Sequence, residues 1–195
     1  MAYLDPSATA NESSDYKALV VLATPTPNAK PPTQNPQPIF CLHAWIRHAS
    51  PGEMVRHLFW VDEAFQPATI GCESNGFQTF IWELLDIEAQ RIGRRLDVKP
   101  VNNRQNKHDR ILANQGEFER GLCRFDPQEG DQRVLIDQFL DFGKPAVHDD
   151  GPDAWDGARR LLPARAGAPT FFYRGLPRRS PFAHRGADHA NPFAM

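Results

Sequence analysis

The chain has 195 residues, of which 41% are hydrophobic and 24% charged, and its formal net charge is −2 at pH 7. This composition is typical of a soluble globular protein, excludes a disordered or membrane chain, and leaves room for one ordinary domain with additional segments. No apolar run approaches the roughly 18 residues of a membrane span, and the N-terminus lacks the features of a signal peptide, so we expect a cytoplasmic protein without membrane contact. Because the net charge is near zero, any attraction for nucleic acid must come from local basic patches.

The N-terminal part of the chain predicts three strands. Ala2–Leu4 is a short apolar segment that ends at Asp5, and the apolar runs 18–23 and 39–46 predict a pair of adjacent strands. Residues 24–38, which connect that pair, contain many prolines and have the composition of an exposed, partly polyproline loop. Such a long connection is tolerated because the entropy of loop closure grows slowly with loop length.

Helices and strands alternate along the rest of the chain. The first helix has Ser50 as its N-cap, Pro51 in its first turn and Glu53 at the third position, and we expect it to end at Pro67. The pattern then predicts a strand over 69–73, a helix over 77–92, a strand over 98–101, a helix over 107–118, a strand over 122–125, and helices over 131–142 and 150–162. This order predicts an α/β domain whose mixed sheet is covered by helices on both faces.

These elements place the folded domain at residues 1–162, with the proline-rich loop 24–38 as an insertion. The segment 163–195 is rich in proline, glycine and arginine and contains almost no acids. We expect it to be a disordered end without a role, and the alternative is a basic arm that touches DNA or a partner.

Three acidic sites stand out because each lies where a predicted element ends or begins. Asp5 ends the first strand, Glu73 ends the strand over 69–73, and Asp149, Asp150 and Asp153 lie at the start of the last helix. Carboxylates that converge from such positions repel one another strongly in a low dielectric. A hard divalent cation removes that repulsion, and two Mg²⁺ ions about 3.5–4 Å apart can support in-line phosphodiester hydrolysis.

The start of the last helix leaves several interpretations open. Asp150 and Asp153 are three residues apart on one face, so they can ligate one ion together. Asp149 points about 100° away from Asp150 and either caps the helix or binds the ion through water. Capping alone also explains acids at this position, because the helix dipole favours them there. His148 adjoins the acids and is either an ordinary histidine or a group that orients a water molecule.

Five motifs, in this order along residues 3–162, resemble the nuclease domain at the C-terminal end of phage terminase large subunits. They are Tyr3-Leu4-Asp5-Pro6-Ser7 with Ser14-Asp15-Tyr16 and Ala18-Leu19-Val20-Val21; Ile70-Gly71-Cys72-Glu73-Ser74-Asn75-Gly76-Phe77-Gln78; Lys107-His108-Asp109-Arg110-Ile111; Phe118-Glu119-Arg120-Gly121; and Asp149-Asp150-Gly151-Pro152-Asp153-Ala154. The resemblance implies an RNase H-like fold with three α/β/α layers around a central mixed sheet. It also implies a metal-dependent endonuclease that cuts concatemeric phage DNA during genome packaging.

The same resemblance implies roles for individual residues. The catalytic ligands of two Mg²⁺ or Mn²⁺ ions would be Asp5, Glu73 and one or both of Asp150 and Asp153, with Asp149 as a further candidate metal ligand. Lys107 and Arg110 fall in the family's basic motif and would contact the DNA backbone. Without the resemblance, these two cations would be interpreted as part of a solvated helix face.

The chain departs from the family in two respects, of which one is that the proline-rich loop 24–38 is longer than a simple hairpin needs. Family members carry an upstream ATPase motor with a glycine-rich phosphate loop, which this sequence lacks, and Met1 lies within the predicted first strand. We therefore expect a fragment, a split subunit or a prophage remnant. Its expected partners are double-stranded DNA, a separate ATPase motor, the small terminase subunit and the portal. The alternatives are a Holliday-junction resolvase-like nuclease, with the same fold and carboxylates, and a non-catalytic DNA-binding or assembly module.

Overall fold

The computed structural model describes residues 1–6, 16–25, 37–74, 79–144 and 148–162. Most of the proline-rich loop 24–38 and the whole segment 163–195 lie outside the described residues. The exposed loop, the basic tail and the domain boundary at residue 162 therefore stay predictions.

Within those ranges the chain forms six strands and six helices. In chain order they are β1 (Ala2–Asp5), β2 (Lys17–Ala23), β3 (Ile39–Arg47), α1 (Pro51–Phe65), β4 (Ile70–Glu73), α2 (Thr79–Ile92), β5 (Val98–Val101), α3 (Lys107–Leu112), α4 (Gln115–Glu119), β6 (Cys123–Arg124), α5 (Gln132–Asp141) and α6 (Asp150–Leu161). None of the described helices is both long and apolar enough to cross a membrane.

The six strands form one mixed sheet in the order β5-β4-β1-β2-β3-β6. β2 pairs antiparallel with β1 and with β3, whereas the pairs β1–β4, β4–β5 and β3–β6 are parallel. Only β2 therefore runs against the others. Parallel neighbours need crossover connections, and α2 supplies the one between β4 and β5. α1 lies between β3 and β4 in the chain, and β4 pairs with β1 on the far side of β2 from β3. This strand order and the single reversed strand are those of the RNase H-like fold, which confirms the predicted fold class.

Helices cover both faces of the sheet, as the sequence predicted. Leu4 of β1 belongs to a buried cluster on one face with Met54 of α1 and other residues of α1 and α2. The neighbouring Tyr3 belongs to the cluster on the opposite face, with Leu135 of α5 and Trp155 of α6. Successive side chains of a strand point to opposite faces, so β1 lies buried between two helical layers.

The first helix begins as its sequence signals predict. Ser50 is the N-cap, and its side chain accepts a hydrogen bond from the backbone N–H of Glu53. The carboxylate of Glu53 accepts in return from the backbone N–H of Ser50 at 2.9 Å, which completes the capping box. The helix ends at Phe65, where Gln66 adopts a left-handed conformation just before Pro67.

The helix predicted over 107–118 is instead two short helices, α3 and α4. Asn114 lies at the break, and its side-chain amide donates to the carbonyl of Arg110 at 3.1 Å and to the carboxylate of Asp156 at 2.9 Å. An asparagine amide that bonds to backbone groups and to a neighbouring helix competes with helix continuation. The periodicity of the sequence could not predict this break, because Asp156 is remote along the chain.

The last helix, α6, packs unusually closely on β1. A Cβ atom added at Gly157 would lie 2.4 Å from ring carbons of Tyr3, so only glycine allows this approach. Because Asp153 lies one turn before Gly157, the close packing brings that carboxylate over the end of β1.

We predict that Gly157→Ala destabilises the protein by about 1–3 kcal/mol, because the added methyl group overpacks the Tyr3 contact. Urea denaturation measures the free energy of unfolding. Gly116→Ala in α4 is the matched control, since no atom lies within 4 Å of the added Cβ. It should be neutral or stabilising by up to about 1 kcal/mol. Equal effects of the two substitutions would contradict the proposed close approach.

Candidate metal centre

Three acidic residues meet at the carboxyl end of the central strands. β1 and β4 are adjacent and parallel, so their ends place Asp5 and Glu73 side by side. The third acid, Asp153, lies on α6. One carboxylate oxygen from each of these residues lies within 4.8 Å of the other two. We refer to Asp5, Glu73 and Asp153 as the acidic trio.

The acidic trio is buried as well as close together. The exposed fractions of Asp5, Glu73 and Asp153 are 4%, 8% and 3%. Burial raises the pKa of Asp5 well above its ordinary value, and the neighbouring carboxylates of Asp153 and Glu73 raise it further. Ionisation of Asp5 is therefore unfavourable unless positive charge is supplied.

Lys107 supplies part of that charge from the start of α3. Its Nζ atom lies 2.7 Å from Asp149 Oδ1 and 3.3 Å from Asp153 Oδ2. Burial by itself would lower the pKa of this ammonium group, but the carboxylates of Asp5 and Asp153 more than offset that effect, so its pKa lies above the ordinary value. The side chain is 36% exposed. Lys107 is thus a charged neighbour of the acidic trio that also reaches solvent.

Arg110 has a different environment from the one predicted for it. Its side chain is only 3% exposed, with Nη2 at 2.8 Å from Asp153 Oδ1 and Nη1 at 2.7 Å from Asp156 Oδ2. A buried guanidinium that bridges two carboxylates does not reach a DNA phosphate, so this placement does not fit the predicted DNA contact. The polarity of α3 suggested a solvated face, whereas α3 packs its arginine against α6.

Asp149 and Asp150 border the acidic trio without being part of it. Asp149 occupies the N-cap position of α6, but its side chain makes no capping hydrogen bond and pairs with Lys107 instead. The carboxylate of Asp150 is one of the charges that raise the pKa of Asp5. His148 Nδ1 lies 3.9 Å from Asp150 Oδ2, and the histidine ring contacts Tyr16 at 4.5 Å between centroids. The structure therefore brings all the predicted acids to one region, with Asp153 innermost on α6.

Sequence reasoning missed two polar residues beside the trio. Asn103 follows β5, and its side-chain amide donates to Glu73 Oε1 and to the Tyr3 hydroxyl, both at 3.1 Å. Asp156 lies one turn after Asp153 on α6 and is 2% exposed. The three-residue spacing from Asp153 was a usable signal for Asp156. Asn103 could be found only by knowing that β5 lies next to β4.

The donor set of the trio fits a hard divalent cation. Mg²⁺ binds carboxylate oxygens at about 2.0–2.1 Å, so opposite ligands of one ion lie about 4 Å apart. The trio's oxygens, within 4.8 Å of one another, lie close to that separation. A divalent ion would also remove the repulsion that raises the pKa of Asp5. Asp5, Glu73 and Asp153 are therefore the residues that could hold a metal ion.

Comparison with known proteins gives a distant structural likeness and no family. No protein-family model matches the chain, and no curated protein matches it. Among solved structures, the chain is similar to RuvC from Thermus thermophilus, with 13% sequence identity and a TM-score of 0.38. The match covers 83% of this chain and 98% of that chain. A likeness this distant transfers neither an activity nor a substrate.

Proposed function

We propose that the chain is a metal-dependent DNA endonuclease domain. The observation that carries the proposal is the convergence of three buried carboxylates, Asp5, Glu73 and Asp153, at the carboxyl end of an RNase H-like sheet. Buried carboxylates that lie this close together repel one another, and this donor chemistry suits the ions that support phosphodiester hydrolysis.

The residues of the site have distinct roles in this proposal. The acidic trio, bordered by Asp149 and Asp150, would hold Mg²⁺ or Mn²⁺, and two such ions would supply activation of water and charge stabilisation of the leaving oxygen. Lys107 neutralises part of the acidic charge, and its partly exposed ammonium group is available to a phosphate of the substrate. His148, 52% exposed and next to Asp150, is a candidate for orienting a water molecule.

The finer assignment is the nuclease of a phage or prophage terminase large subunit. This assignment is supported by the sequence motifs that resemble that family and by their order along the chain. In this role the domain would cut concatemeric DNA during genome packaging. Its proposed partners are double-stranded DNA, an ATPase motor, the small terminase subunit and the portal.

We predict that the purified chain nicks or linearises supercoiled plasmid DNA in the presence of Mn²⁺. Asp5→Asn, Glu73→Gln and Asp153→Asn should reduce cutting to the metal-free background, because each removes one charged donor of the trio. Gel electrophoresis of the plasmid measures the rate. Asp86→Asn is the control, since that carboxylate is 62% exposed on α2. Asp86→Asn should cut like the unmodified chain.

Two outcomes of that experiment would change the assignment. Cutting by the trio variants at the unmodified rate would overturn the nuclease site, and no cutting by any form would favour a non-catalytic DNA-binding or assembly module. A strong preference for four-way junctions over linear duplex would favour a resolvase-like nuclease over a terminase.

Metal-free stability should depend on pH through Asp5. The folded-state pKa of this acid is raised, so its ionised form disfavours folding and stability is lost as pH rises above the ordinary value of 3.8. In the presence of a chelator, Asp5→Asn should therefore be more stable than the unmodified chain at pH 7, and the difference should shrink as the pH approaches 4. Thermal unfolding measures this difference. A difference that does not change with pH would contradict the raised pKa of Asp5.

Added Mn²⁺ should stabilise the folded chain by mass action. At a free concentration of 100 times the dissociation constant, the gain is about 2.7 kcal/mol for one site. Asp5→Asn should gain much less, because it lacks one ligand of the trio, whereas Asp86→Asn should gain as much as the unmodified chain. An equal gain for Asp5→Asn would place the metal elsewhere.

A further inference from the structure

Asp156 is a buried carboxylate that the proposed chemistry does not use. Its Oδ2 atom accepts from Arg110 Nη1 at 2.7 Å and lies 3.1 Å from Arg160 Nε. Its Oδ1 atom accepts from the side-chain amide of Asn114 at 2.9 Å. Because these three donors engage both oxygens, Asp156 is held between two arginines rather than directed at the acidic trio.

Each of the two arginines is also linked to a different member of the acidic trio, Arg110 directly and Arg160 through Asn103. On one side, Arg110 Nη2 donates to Asp153 Oδ1 at 2.8 Å. On the other side, Arg160 Nη2 donates to Asn103 Oδ1 at 2.5 Å, and the Asn103 amide donates to Glu73 Oε1. The contacts form a continuous chain from Asp153 to Glu73, and we refer to its members, Asp153, Arg110, Asp156, Arg160, Asn103 and Glu73, as the Asp156 network.

The Asp156 network joins elements that the backbone connects only indirectly. Glu73 ends β4, Asn103 follows β5, Arg110 lies on α3, and Asp156 and Arg160 lie on α6. Arg110 pairs with Asp153 and Asp156, Arg160 pairs with Asp156, and the neutral side chain of Asn103 links Arg160 to Glu73. Removal of one member therefore leaves its buried partners with fewer hydrogen bonds.

We propose that Asp156 is a positioning residue, which sets the orientation of the Asp153 and Glu73 carboxylates through its two arginines. The inference rests on the proposed function, because it concerns how the same carboxylates receive a divalent ion. With Asp156 intact, the Arg110 guanidinium divides its hydrogen bonds between two carboxylates, so Asp153 keeps Oδ2 directed towards Lys107 and away from Arg110. Outer hydrogen-bond partners of metal ligands commonly alter metal affinity about 10–100-fold when they are removed.

Simple charge effects and positioning predict different results for two substitutions. Asp156→Asn removes a negative charge near the trio, and Arg160→Met removes a positive one. If the network acted only through charge, the first would weaken Mn²⁺ binding and the second would strengthen it. If it positions the carboxylates, both weaken Mn²⁺ binding. The side chain of Arg160 is 40% exposed, so this variant is expected to fold.

The test measures the Mn²⁺ dissociation constant of the full chain by electron paramagnetic resonance of free Mn²⁺, with thermal unfolding as the check on folding. Glu117→Gln is the matched control, since it breaks the Arg159–Glu117 ion pair between α4 and α6 and contacts none of the trio. We expect Asp156→Asn and Arg160→Met each to raise the dissociation constant about tenfold or more, and Glu117→Gln to leave it unchanged.

The outcomes separate this inference from the proposed function. An unchanged dissociation constant in both network variants, or tighter binding by Arg160→Met, overturns the positioning role while the nuclease proposal stands. If Glu117→Gln weakens Mn²⁺ binding to the same degree, the positioning role is also overturned. Loss of any contact that holds α6 would then be enough to weaken binding. If Asp156→Asn does not fold, the direction of the change in Arg160→Met decides. Absence of Mn²⁺ binding by the unmodified chain overturns the proposed function and this inference together.

Discussion

The repulsion among three buried carboxylates is the constraint on which the rest of this site depends. Asp5, Glu73 and Asp153 are nearly inaccessible to water, and their oxygens lie within 4.8 Å of one another. Like charges at such separations interact strongly where water does not screen them. Lys107 and Arg110 bring positive charge to Asp153, whereas the pKa of Asp5 is raised, chiefly by burial and further by the carboxylates of Asp153 and Glu73. This crowding of buried carboxylates is what makes the trio suited to a divalent ion.

The fold produces this convergence through two backbone relationships. The parallel pairing of β1 with β4 places two strand ends together, and the contact of Gly157 with Tyr3 sets α6 directly on β1. α6 therefore has two functions. Its apolar residues, such as Trp155, fill one layer of the core, while its acids occupy the edge that faces the strand ends and α3. A change in core packing under α6 would displace Asp153 as well.

The two cations of α3 show that a helix rich in polar residues can help to hold the site together. α3 begins with Lys107, whose ammonium group is partly exposed, whereas Arg110, nearly one turn later, is buried between Asp153 and Asp156. Both side chains contact Asp153 of α6, but Lys107 lies at the first residue of α3 and stays partly exposed, whereas Arg110 is also held by Asp156. The resulting ion pairs, extended by Arg160 and Asn103, give the site a framework that links α3, α6 and the end of β4.

The sequence by itself determined the fold class, the order and approximate bounds of the elements, and the acids at the ends of β1 and β4 and at the start of α6. It could do so because apolar periodicity, the capping box at Ser50 and the change from apolar to polar residues at Asp5 and Glu73 are local features. Only the tertiary structure decided which acid of α6 lies innermost, that Arg110 is buried, that Asn114 interrupts a predicted helix, and that Asn103 and Asp156 belong to the site. Each of these depends on contacts between residues 30 or more positions apart, such as Arg110 with Asp153 and Asn103 with Glu73 at separations of 43 and 30 residues. Such contacts leave no periodic signal in one sequence, because burial of a charged side chain depends on the partner that the fold places beside it.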